Sequence, residues 1–260
     1  MSTTNPIFRD LGIPQPSHER ALAISERMTL VGTLHKTGVL LALFAISTAL
    51  GWKEFRLFVH GPTKSGLYFS LGFVALCLIG GWVLVWVTVR HKTWSNVTAP
   101  IYAFLQGLLM GFISAGEDFR FPGIAIQAVC VTIAMSSCLL LAYRFGWIRV
   151  TESFNTKLTV AISGVVLFYM ANLAMALLGV PSLAAKAGVI PSILTSVVVV
   201  GIAGMSLISD FNSAVQCAGE GNPKYMEWYA ALGLLVSLVW LYIEVLNLLG
   251  KARRAEEEPL

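Results

Sequence analysis

Residues 67–89 read LYFSLGFVALCLIGGWVLVWVTV and are closed by Arg90. No Asp, Glu, Lys, Arg or His interrupts them. A helix needs about 20 mostly apolar residues to cross a bilayer core, so this stretch reads as a membrane span. Six further runs read the same way: Leu30 to Leu50, Val97 to Ala115, Gly123 to Tyr143, Leu158 to Leu178, Pro191 to about Ala214, and Trp228 to Leu249. The loops between them are too short for a separate domain. The expected fold is an all-α membrane protein with seven transmembrane helices. Residues 1–29 form a polar N-terminal segment, residues 30–250 the membrane domain, and residues 251–260 a charged, solvated tail.

Composition agrees. Of 260 residues, 56% are hydrophobic and 12% charged, where a soluble domain has about a quarter charged. The net charge of +4 is spread over many loops, which excludes a nucleic-acid-binding face. Cys77, Cys130, Cys138 and Cys217 lie in apolar segments without CxxC spacing, so they read as buried small side chains. His18, His35, His60 and His91 are scattered at helix ends and loops. There is no HExxH, no phosphate-cradling glycine loop and no Ser/His/Asp arrangement, so the chain does not read as an enzyme. The N-terminus lacks the basic start and apolar core of a secretory signal, and the first span reads as a retained signal anchor. With the N-terminus in the cytoplasm, ten Lys and Arg residues fall inside and eight outside, which favours that orientation. Most of the tryptophans fall near helix ends, as in an interfacial aromatic belt. Gly107 and Gly111 form a GxxxG suited to close helix packing.

Charge inside a span is informative because a carboxylate at a helix centre costs about 2.5–3.5 kcal/mol on insertion scales. Asp210 follows the apolar run Val197 to Ile208. Glu227 opens the seventh span, where the helix dipole favours it. Glu244 lies toward the end of that span, within snorkelling reach of the interface. Gly219 to Pro223 reads as the turn between the last two spans, and a hairpin folded at its start sets Asp210 and Glu227 at similar depth. Glu244, about 25 Å beyond Glu227 along a helix, would answer to the opposite face. Two carboxylates held together cannot both ionise cheaply, so Asp210 with Glu227 would form a pH-responsive latch. Ionised, the pair offers hard oxygens to a calcium ion.

Several motifs resemble the bacterial Bax inhibitor-1/YccA-like family. These are Met28-Thr29 with Lys36-Thr37, Ala99-Pro100-Ile101-Tyr102 running into Gln106-Gly107 and Gly111, and Gly123-Ile124-Ala125-Ile126-Gln127-Ala128. Ser209-Asp210-Phe211 and the stretch from Gly221 through Pro223-Lys224-Tyr225-Met226-Glu227-Trp228-Tyr229 to Gly233, continuing to Trp240 and Glu244, complete the likeness. The resemblance covers roughly Asn5 to Lys251. It implies a bundle with the last helix central, placed in the bacterial inner membrane. It also implies a calcium leak gated by pH through an acidic pair on helices 6 and 7, with a role in stress response. The alternative it carries is a non-conducting partner that modulates a membrane protease or cell-death factor, for which the polar N-terminal segment would serve. Asp210 matches the family's first acid. The second falls near Leu235, where this chain has no carboxylate, leaving its place to Glu227, to Glu244 or to neither. Arg90 matches loosely an arginine that supports the latch. Calcium, as permeant or bound ion, is the expected partner besides lipid, with no other cofactor.

Overall fold

The computed structural model describes residues 27–60, 64–179 and 188–257. Among them are seven long helices: α1 (Leu30–His60), α2 (Lys64–Arg90), α3 (Ser95–Arg120), α4 (Ile124–Arg144), α5 (Glu152–Leu177), α6 (Val189–Gly219) and α7 (Met226–Glu257). Each contains a window long and apolar enough to cross a membrane. A short 3-10 turn, Lys92–Trp94, joins α2 to α3. Most of the N-terminal segment, residues 1–26, lies outside the described residues, and so does the partner-binding role assigned to it.

The helices run past the apolar runs that predict them. α1 continues to His60 rather than Leu50, α3 to Arg120 rather than Ala115, and α7 to Glu257 rather than Leu249. Hydropathy marks where hydrocarbon ends, whereas backbone hydrogen bonds extend a helix freely into the headgroups. The division at residue 250 therefore falls inside a helix. The tail is not a free solvated run: Lys251 Nζ donates to Ser196 Oγ at 2.7 Å, and Arg254 reaches Glu117 at 3.0 Å. Glu117, Asp118 and Arg120 close α3 as its last turn. From there Asp118 accepts the Gly123 amide at 2.9 Å, at the start of α4.

α7 is the central helix. It packs against α1, α3, α4 and α6, and its residues Leu235 and Leu241 are fully buried. α2 rests mainly on α3, and α5 touches the bundle chiefly through α6. Both outer helices leave most of their side chains exposed, toward lipid. Successive spans alternate in direction, so one face of the bundle gathers the start of α1, the end of α2, and the start of α7. This proximal face is tied by the Met28 amide donating to the Asn222 carbonyl at 2.6 Å, by an antiparallel bridge between Arg27 and Pro223, and by Ser95 Oγ donating to the Tyr225 carbonyl at 3.0 Å. The distal face carries the Arg254–Glu117 pair.

The closest helix contact is between α1 and α3. A Cβ on Gly107 would strike the Ser47 hydroxyl and the Phe44 carbonyl, and one on Gly111 would strike the Thr48 carbonyl. The GxxxG is thus a backbone-to-backbone seam, the way helices associate where no hydrophobic drive separates protein from lipid.

Candidate functional site: a polar relay along the last two helices

Four consecutive residues of α6 tie that helix to three neighbours. Ser209 Oγ donates to Asn155 Oδ1 of α5 at 2.9 Å. Asp210 accepts a hydrogen bond from the Ser237 hydroxyl of α7. Phe211 packs edge-on against Tyr143 of α4, with ring centroids 5.7 Å apart. Asn212 Oδ1 accepts from the hydroxyl of that same Tyr143 at 2.8 Å. Steps of about 100° per residue send consecutive side chains to different sides of a helix, so a polar run of this length can reach three partners at once. Asp210 lies nine residues from Gly219, about 13 Å inside the proximal end of α6.

Asp210 and Glu227 do not meet. The turn is centred nearer Asn222 and Pro223 than Gly219, because α6 stays helical to Gly219 and α7 starts only at Met226. The residue level with Asp210 is therefore Ser237, ten positions beyond Glu227 and about 15 Å further along α7. Leu235, where the resemblance places the second acid, is buried among Tyr102, Leu109, Met110 and Val239. The group that faces Asp210 is instead the Ser237 hydroxyl.

Glu227 is 1% exposed, but it faces α1. Its Oε1 accepts from the Thr29 amide at 2.9 Å and the Thr29 hydroxyl at 3.0 Å, and the Lys36 ammonium sits 2.6 Å from Oε2. The Lys36 ammonium thus matches the charge of Glu227. Asp210 and Glu227, expected to share an ion, are in separate environments. Among the described residues no three His, Cys, Asp or Glu side chains form a metal site.

Glu244 does not snorkel. α7 runs thirteen residues beyond it to Glu257, about 20 Å, and the carboxylate is 3% exposed. The Tyr169 hydroxyl of α5 lies within 2.7 and 2.8 Å of its two oxygens, and Trp240 Nε1 donates at 3.0 Å. Glu244 is thus the second polar tie between α5 and the bundle, on the distal side of Asp210. Tyr169→Phe should lower stability by about 0.6–1.7 kcal/mol, the range for interhelical hydrogen bonds in membranes. Thermal unfolding in detergent measures it, and a melting curve unchanged from wild type would show that the tie is not made.

Arg90 is the last residue of α2, exposed, its guanidinium 5.5 Å from the Trp86 ring of its own helix. It stands at the proximal surface and does not support the Asp210 contact. The reason is local: a helix-terminal arginine gains more by covering an interfacial ring than by entering the bundle.

The family model for Bax inhibitor 1 like proteins matches residues 5–254. The chain belongs to that family. No curated protein and no solved structure matches it. In this Bax inhibitor 1 like chain the partners of the three acids are Ser237, Thr29 with Lys36, and Tyr169 with Trp240. Sequence reasoning missed all of these contacts except the presence of Lys36 in a motif. Hydroxyls and amides cost too little in an apolar span to announce themselves.

Proposed function

We propose that the protein is a passive calcium leak of the inner membrane, pH-sensitive through Asp210, with its N-terminus on the cytoplasmic side. The single observation that supports this is a carboxylate about 13 Å inside α6 whose bundle partner is one neutral hydroxyl, Ser237 of α7. A hydroxyl can donate to a carboxylate and can accept from a carboxylic acid, so the α6–α7 contact changes character with a single proton. Protonated, Asp210 closes the contact in both directions and presents no anionic oxygen to a cation. Ionised, it offers the hard oxygen that a passing calcium ion exchanges for water. The Ser209 and Asn212 bonds hold α6 to α5 and α4, which leaves α7 as the helix that yields.

Liposomes loaded with a calcium dye and assayed between pH 6 and 8 test this. Asp210→Asn should abolish the pH response, and Ser237→Ala should raise the resting flux. If Asp210→Asn leaves both flux and pH response as in wild type, Asp210 is not the gate.

A further inference from the structure

α1 begins with an unfinished cap. Thr29 is its N-cap: its hydroxyl oxygen accepts the Gly32 amide at 3.0 Å, and its carbonyl accepts the Thr33 amide at 3.0 Å. In a capping box the side chain at the third helical position, Glu or Gln, reaches back to accept the N-cap amide. Here that position is Gly32, which has no side chain. The Thr29 amide goes instead to Glu227 of α7, and a Cβ on Gly32 would overlap the Glu227 carboxylate. Lys36 completes the correspondence. It stands four residues after Gly32, where a glutamate at position 32 would find its best helical ion-pair partner, and it is bonded to Glu227. It also lies 5.3 Å from the Trp228 ring.

We infer that Glu227 is the missing carboxylate of the α1 capping box, supplied in trans by α7, and that this junction is the fixed end about which α7 turns when Asp210 is released. The first half stands on geometry alone; the second rests on the leak reading. The other proximal ties, Met28 to Asn222 and the Arg27–Pro223 bridge, fasten the same two chain segments. Both helix starts therefore behave as one body, and the Asp210–Ser237 contact, about 15 Å away along α7, is free to part without breaking it.

A rescue experiment tests the cap. Glu227→Ala and Gly32→Glu should each lower the melting temperature, the first by removing the carboxylate and the second by collision with it. Combined, they should recover most of the loss, because the new side chain caps Thr29 in cis and faces Lys36. Additive losses would overturn the capping role. Glu227→Met, which keeps much of the volume but offers no acceptor, supplies a second measurement: exchange of the Thr29 amide should quicken while the middle of α1 keeps its protection, and unchanged exchange at Thr29 would overturn the role equally.

The fixed end is tested by Arg27→Cys with Pro223→Cys in a protein whose four native cysteines are replaced by alanine. Residues facing each other across an antiparallel bridge are spaced for a disulfide. Oxidation should leave calcium flux and its pH response within about twofold of the reduced protein. Flux blocked by oxidation would overturn the fixed end, and no flux from the wild type would overturn the leak and the fixed end together. The cap is decided in either case by the rescue.

Discussion

Lys36→Met should cost about 3 kcal/mol of stability, the lower end of the penalty for removing one partner of a buried ion pair, because the Lys36 side chain is only partly buried. Glu227 is 1% exposed, and the Lys36 ammonium at 2.6 Å is the nearest counter-charge to its carboxylate. The other cation nearby, Lys224, is 3.9 Å away and more than half exposed, so water screens it. The two Thr29 donors remain but bring no net charge. Adding Glu227→Gln to Lys36→Met should restore most of the loss, because a neutral amide can still accept from Thr29 and no longer needs a counter-charge. Thermal unfolding of the two single variants and the double variant in detergent gives the cycle. A Lys36→Met protein that melts with the wild type would mean that the ion pair is not formed in the folded protein.

Gly111→Val is the second large effect, expected at about 3 kcal/mol, the upper part of the range for overpacking. The added Cβ would fall on the Thr48 carbonyl oxygen and 2.8 Å from the Trp52 amide nitrogen. Both obstacles are backbone, so no side chain can swing aside, and α1 and α3 must separate along the whole seam. Gly38→Ala is the control on the facing helix, α1, since nothing lies within 4 Å of a Cβ there; it should be neutral or gain slightly from helix propensity. If both variants gave the same amount of folded protein by size-exclusion chromatography, the close α1–α3 approach would be disproved.

The spans were legible because hydrocarbon imposes one strong rule on every residue it touches. Leu30, Val97 and Gly123 stand at or within one residue or two of a helix start, and the charge inside α6 drew attention to Asp210 before any contact was known. Helix ends were less legible. Charged residues such as Glu117 and Lys251 stop an apolar run without stopping a helix. Pairing was harder still. Placing Glu227 opposite Asp210 depended on where the chain turns, and a shift of the turn by a few residues moved the partner to Ser237. Nothing in the sequence marks Thr29 as a cap awaiting a carboxylate from a helix nearly 200 residues later. Gly32 is the one residue that hints at it, as a glycine where a capping box carries a glutamate.

Two side-chain bonds hold α5 to its neighbours, Asn155 with Ser209 and Tyr169 with Glu244, fourteen residues apart and so about 21 Å along the helix. Between them a groove against α6 is lined by Gly164, Val165, Phe168, Thr195, Val198 and Ile202. Two contacts this far apart fix the tilt of α5 against the bundle as one alone could not, and the Tyr169 contact ends on the helix that carries Ser237.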